Sequence, residues 1–287
     1  MSAFFEIVPN ISEGRDAAVV DACAAAMTAA GARVIDRSSD VTHHRSVLTA
    51  VGGWTEALTA SVALAGIAAA RIDVRRHRGE HPRIGALDVL PFVPLRGASL
   101  ADAAALAREA GAAIWAAHRI PSYFYGAAAS ADHRRLLADV RRGEFEGLVA
   151  RLSDPLWAPD VGDDMHASAG AIAIGARELL IAFNVELRSE NLTLAKMLAR
   201  TLRERNGGFL TLRALGLVRR PGIVQLSFNV TDPDAVPLYR IVEMSRALAA
   251  EWGVEIARSE LVGLAPRRAM RETAAYYLAR DPEHEHR

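Results

Sequence analysis

The stretch LTLRALGLVRRPGIVQLSFNV, residues 210–230, holds two β-rich runs separated by Arg219-Arg-Pro-Gly222. Proline presets the backbone at the first turn position and glycine allows the tight reversal, so the stretch predicts two strands joined by a turn. Upstream, residues 179–187 predict a strand, and 190–205 a helix that ends at Asn206-Gly-Gly208. Downstream, 233–252 predict a helix and 254–258 a strand. The order is β-α-β-β-α-β, that of a ferredoxin-like split βαβ unit.

The same order can be read in the first half. Residues 4–9 form a short apolar run, and Asn10 and Ser12 offer capping oxygens ahead of a helix. Val19, Val20, Cys23 and Met27 have the spacing of one buried helical face, and Gly31 closes it. Val34-Ile35 and 46–51 predict strands, 55–70 an alanine-rich helix, and 87–93 a further strand. Between the halves, 100–117 predict a helix, 123–125 a short strand, a helix starts at Asp132, and 157–170 read as a loop. The halves share no visible sequence identity. The expected fold is therefore α/β (α+β): two ferredoxin-like βαββαβ subdomains, 1–177 and 178–287. Each is a sheet with helices on one face, and a ligand cleft lies between them. The terminal Glu-His-Glu-His-Arg, 283–287, is expected to be a disordered tail.

Composition narrows the class. In 287 residues, 34 Lys+Arg balance 34 Asp+Glu, and 51% are hydrophobic. Neutral charge argues against a nucleic-acid binder, and the apolar content argues against disorder. Cys23 is the only cysteine, so no intrachain disulfide can form. The start of the chain lacks the basic and apolar regions of a signal peptide, and the most apolar window, 58–70, falls short of the ~20 residues a membrane span needs. A cytoplasmic protein with no membrane partner is expected.

Residues 71–83 break the neutral background. Arg71, Arg75, Arg76, Arg78 and Arg83 crowd there with His77 and His81, which points to a local anionic ligand or to a solvated loop. Within it, Gly79-Glu-His-Pro-Arg-Ile-Gly85 holds His81 before a proline, where the backbone is pushed towards extended conformations. Imidazole titrates near neutrality, and nearby arginines lower its pKa, which suits a base; a purely structural histidine is the alternative. Metal binding by His77 and His81, or by His43 and His44 with Asp36 and Asp40, fits poorly. Gly79 and Pro82 disfavour a helix that would align the first pair, and H-E-x-x-H is not met. No metal is expected. Residues 170–175 lack the lysine of a P-loop, no G-x-S-x-G elbow occurs, and no strand has the aromatic pattern of an RNA platform.

Several segments together resemble the formiminotransferases. They are Val8-Pro-Asn-Ile-Ser-Glu-Gly14, His43-His-Arg-Ser-Val47, Gly79-Glu-His-Pro-Arg-Ile-Gly-Ala-Leu-Asp88 and Pro91-Phe-Val-Pro94. Trp157-Ala-Pro-Asp160, the block 170–177, Leu180-Ile-Ala-Phe-Asn184 and Leu261-Val-Gly-Leu264 follow in the same order. The resemblance implies two α/β subdomains with a folate cleft, and His81 as the catalytic histidine. It also implies a folate-binding loop of Val161, Gly162, Asp163, Asp164, Met165, His166, Ala167, Ser168 and Ala169. His44 stands where the family usually has Asn, and the loop carries two acids. The cyclodeaminase domain fused in mammalian members is expected to be absent from a chain of this length.

The implied reaction moves a formimino group between N-formimino-L-glutamate and tetrahydrofolate, the co-substrate, giving 5-formiminotetrahydrofolate and glutamate. An amine attacks an amidine carbon and another amine departs protonated, so one group that takes and returns a proton serves both steps. His81 is the candidate general acid/base. Arg45 and Arg83 are candidate carboxylate anchors, since a guanidinium meets a carboxylate bidentately. Asn10 and Asn184, placed at strand ends facing the cleft, are candidates to orient polar substrate atoms. Transfer to another amine such as glycine, or folate binding without catalysis, are the alternatives. A homodimer is allowed for.

Overall fold

The computed structural model describes residues 3–79, 81–152 and 154–279, so Glu80 and the tail 283–287 lie outside the described residues. The chain divides into two compact units, Met1–Glu178 and Leu179–Arg287.

In the first unit the elements run β1 (Phe5–Ile7), β2 (Asn10–Ile11), α1 (Ala17–Ala29), β3 (Arg33–Asp40), β4 (Arg45–Gly52), α2 (Trp54–Arg71) and β5 (Leu87–Pro94). Then come α3 (Leu100–His118), β6 (Ser122–Gly126), α4 (Leu137–Val140), α5 (Glu144–Arg151) and β7 (Ile172–Ala176). β1 and β2 act as one strand broken at Val8-Pro9, since proline has no N–H for the ladder. Both pieces pair antiparallel with β4 on one side and β5 on the other, and β3 pairs with β4 at the edge. β7 then adds parallel to β5, and β6 parallel to β7, which makes a seven-stranded sheet.

The helices α1, α2 and α3 cover one face over Phe5, Ile7, Leu48, Leu90, Phe92 and Ile174. Their buried stripes are rich in alanine, as in Ala57, Ala60, Ala65 and Ala68 of α2, which lets backbone approach backbone. The expectation of helices on one face alone is corrected here. A second core of Ile84, Val89, Tyr123, Tyr125, Val140, Leu148, Ala171 and Ala173 packs on the added strands, with residues from α4 and α5. The capping role expected of Asn10 and Ser12 is also corrected. Asp16 caps α1 by accepting from the Ala18 amide, while the Ser12 hydroxyl donates to the Gly85 carbonyl at 2.7 Å.

The second unit runs β8 (Ile181–Arg188), α6 (Leu192–Leu202), β9 (Leu212–Arg220), β10 (Ile223–Val230), α7 (Leu238–Ala250), β11 (Ile256–Val262) and α8 (Arg267–Leu278). Its sheet order is β11-β8-β10-β9 with every neighbour antiparallel, and the β9–β10 reversal uses Gly222 at φ +77°. Ile181, Phe183, Val185 and Leu187 of β8 join the core shared with α6 and α7. Glu186, with its side chain fully buried, forms ion pairs with Arg219, Arg220 and Arg258. Among the described residues, no helix is long and apolar enough to cross a membrane.

Candidate active site

Two segments far apart in sequence are laced together in the first unit. The Val74 amide donates to the Ser168 carbonyl at 2.9 Å, Ala86 to Ala169 at 2.8 Å, and Ala171 to Ile84 at 3.0 Å. Gly85 and Gly170 form an isolated antiparallel bridge across this seam. A Cβ on Gly85 would press on the Ala171 carbonyl, so only glycine fits there. Gly85→Ala is expected to destabilise the protein by about 1–3 kcal/mol, read as a lower urea midpoint at unchanged slope. The seam holds the stretch carrying His81 beside the loop that begins at Val161.

His81 is half-buried, and its Nδ1 lies 2.9 Å from the Pro82 carbonyl oxygen. A carbonyl only accepts, so this contact places the proton on Nδ1 and leaves Nε2 with a free lone pair. The same carbonyl accepts from Arg141 Nη1 at 3.3 Å. Beneath it lies Asp88, fully buried at the start of β5. Its carboxylate accepts from Arg45 Nη1 at 2.6 Å, Arg141 Nη1 at 3.1 Å and the Ile84 amide at 2.7 Å. Arg45 Nε donates to Asn10 Oδ1 at 3.1 Å, and Asn10 Nδ2 donates to the Val8 carbonyl at 2.8 Å.

The electrostatics follow from this packing. Burial works to raise the Asp88 pKa, but the two guanidiniums hold it below the usual carboxylate range. His81 is pushed down to about 3, first by burial and then by Arg45 and Arg141, with the Pro82 carbonyl and Asp88 opposing. The arginines that act on the imidazole thus come from β4 and from the residue after α4. This environment favours the neutral imidazole.

Three more histidines stand nearby. The His43 ring meets His81 edge-on at 6.1 Å, and its Nδ1 lies 3.3 Å from Asp40 Oδ2. His44 stacks on His77 at 4.4 Å, and its Nε2 lies 3.1 Å from Glu13 Oε1. The His44 backbone is left-handed at φ 50°. Asn and His are both enriched in that conformation, so this backbone suits either residue. Among the described residues no set of three metal-ligating side chains gathers.

Arg45 and Arg141 thus meet on one buried carboxylate, with Asn10 held on Arg45 and His81 on the Pro82 carbonyl that Arg141 also reaches. Of the loop residues Val161, Gly162, Asp163, Asp164, Met165, His166, Ala167, Ser168 and Ala169, the last two are bonded into the seam, while Val161 pairs with Ser122 and His166 with Gly170. His166 Nδ1 accepts from the Ala169 amide at 3.0 Å, and Gly162 turns at φ +93° against Trp115. Arg83 points elsewhere, with its guanidinium on Glu144 at 2.8 Å and Glu146 at 2.7 Å. Asn184 lies in the interior of β8 and not at a strand end, and its amide donates to Glu260 Oε2 at 3.2 Å within the second unit.

Asp88 and Arg141 were not among the residues expected from sequence. Asp88 left a signal, as the one charge in the apolar strand 87–94. Arg141 left none, lying in a stretch with other arginines.

Models of the formiminotransferase domain match both parts of the chain, the N-terminal subdomain over residues 4–177 and the following domain over 182–285. The chain belongs to the formiminotransferase family. This formiminotransferase chain is 38% identical over 281 residues to "Glutamate formimidoyltransferase" of Streptococcus pyogenes serotype M1, covering 97% of this chain and 94% of that protein. To the protein of the same name from Thermoplasma acidophilum it is 40% identical over 280 residues, 95% of this chain and 91% of that one. "Formimidoyltransferase-cyclodeaminase" of Rattus norvegicus is 35% identical over 300 residues, spanning all of this chain and 55% of the rat protein.

Proposed function

We propose that the chain is a glutamate formimidoyltransferase that moves the formimino group between N-formimino-L-glutamate and tetrahydrofolate. The observation that carries this reading is His81 itself: a neutral imidazole with Nδ1 fixed on a carbonyl and Nε2 free, in the family's Gly-Glu-His-Pro-Arg motif. Similarity to transferases over nearly the whole chain supports the choice of substrates.

In the forward direction the folate N5 amine attacks the formimino carbon and a new C–N bond forms. His81 Nε2 accepts the proton released from that amine. The bond from the carbon to the glutamate nitrogen breaks, and His81 returns the proton to the departing amine. The balance is one formimino group and one proton exchanged between two amines. Tetrahydrofolate is the co-substrate, with Val161–Ala169 as its binding loop. Asn10 and Arg45, the two of the four candidates that lie in the cluster beside His81, are the substrate-binding residues of this reading, with residues 1–177 and 178–287 as the two subdomains. Small-molecule substrates, a cytoplasmic location and a homodimer belong to the same reading.

The test is a spectrophotometric transfer assay on the full chain with tetrahydrofolate, comparing N-formimino-glutamate with N-formimino-glycine. Transfer from the glutamate compound at a kcat/KM at least tenfold higher is expected. Equal rates would overturn the glutamate assignment, and no transfer from either would overturn the activity.

A further inference from the structure

Asp88 brings one negative charge to a buried spot where Arg45 and Arg141 bring two positive ones. An uncompensated buried charge is costly unless something neutralises it. Arg141 also keeps its Nε–H buried without a hydrogen-bond partner. An unmet donor on an excess guanidinium calls for an acceptor of negative charge, and a carboxylate has the matching geometry.

We propose that the Arg45–Asp88–Arg141 cluster receives a carboxylate of a substrate, and that this anion makes His81 a stronger base. The proposal rests on the transfer reading above and adds a means of regulation by the substrate to that site.

The charged and titratable groups around His81 support it. Arg45 comes from β4, Asp88 from β5, Arg141 from beyond α4, and His43, held by Asp40, from the β3–β4 turn. Tyr125 of β6 interacts with Arg45, Asp88, Arg141 and Arg177, and Glu6 offsets Arg177. Arg45 and Arg141 both lower the His81 pKa, and only Asp88 and the Pro82 carbonyl oppose them. An imidazole held near 3 is neutral but a feeble proton acceptor, and Brønsted behaviour favours a base whose pKa approaches the working pH. A carboxylate that offsets one guanidinium removes a unit charge a few ångströms from the ring. With an effective dielectric of about 20, that raises the imidazole by roughly one to two pH units. The imidazole is therefore a stronger proton acceptor with the carboxylate bound than without it.

The test is an NMR pH titration of His81 in the full chain labelled at histidine. It is run free, with saturating L-glutamate, with p-aminobenzoyl-L-glutamate, and with the diamide of glutamic acid. The expected result is an upward shift of the midpoint by about one unit or more with a carboxylate ligand and none with the diamide. The two carboxylate arms assign the anion to the amino-acid substrate or to the folate tail. Arg141→Gln should show a raised midpoint without ligand and no further movement, while Arg141→Lys keeps the charge and should titrate like the parent. A midpoint unmoved by both carboxylates overturns the proposal, and that arm needs no variant. So does an Arg141→Gln protein that titrates like the parent. Because the shift is read without turnover, its failure is separable from absence of transfer in the assay above.

Discussion

His81→Ala should lower kcat by about 10²–10⁴-fold, the worth of one positioned acid–base group, while folate affinity stays within a few-fold of the parent. The split follows from geometry. The proposed folate loop is tied to the chain by backbone bonds, Ala86 to Ala169 and Val74 to Ser168, and none of these involves the imidazole. Stopped-flow turnover and a fluorescence titration with a folate read the two quantities separately. Turnover within tenfold of the parent would remove His81 from the chemistry. Loss of folate binding in step with turnover would make it a binding residue instead. The same variant has a pH signature in stability. The unfolded chain protonates its histidine near 6.5, whereas the folded ring resists protonation down to about 3. Below 6.5 the unfolded state therefore binds the extra proton, and stability falls as pH drops towards 3. His81→Ala lacks that group, so its urea midpoint should decline less steeply than the parent's between pH 6.5 and 5.

How much of this the sequence discloses depends on where each signal resides. The β9–β10 pair is plain because a Pro-Gly turn sits between alternating runs. β7 is not, because a short central strand buried on both faces shows a continuous apolar run without alternation, and Ala171–Ala176 is flanked and interrupted by glycines. α8 escapes for the opposite reason: only Ala269 is buried along it, so it carries no apolar stripe. In the site, His81 is legible because glycine and proline frame it locally. Arg141 is not, because its role is created by contacts 53 and 59 residues away, at Asp88 and Pro82. The capping oxygens of Asn10 and Ser12 were diverted for the same reason. Once Gly85 and Arg45 lie within reach, tertiary partners outcompete the local amide.

Asp88→Asn should destabilise the protein by about 3–5 kcal/mol, the cost of removing one partner from a buried ion pair. The amide cannot imitate the carboxylate here. Oδ1 serves the Ile84 amide and Oδ2 serves both guanidiniums, so an asparagine must aim its NH₂ donor at one of these donors whichever way it is flipped. Two buried cations then lose their counter-charge. The contrast is Glu146, which meets Arg83 from a side chain 63% exposed, where Glu146→Gln should cost less than about 1 kcal/mol. Urea unfolding followed by tryptophan fluorescence measures both, since Trp54, Trp115 and Trp157 all report on the first unit. Charge, and not shape, is isolated by adding Arg141→Gln to Asp88→Asn. That step brings the buried excess from two cations to one, so the double variant should be less destabilised than the sum of the two singles. Additive losses would mean that the two residues do not interact through charge, and the buried cation excess beside His81 would lose its physical basis.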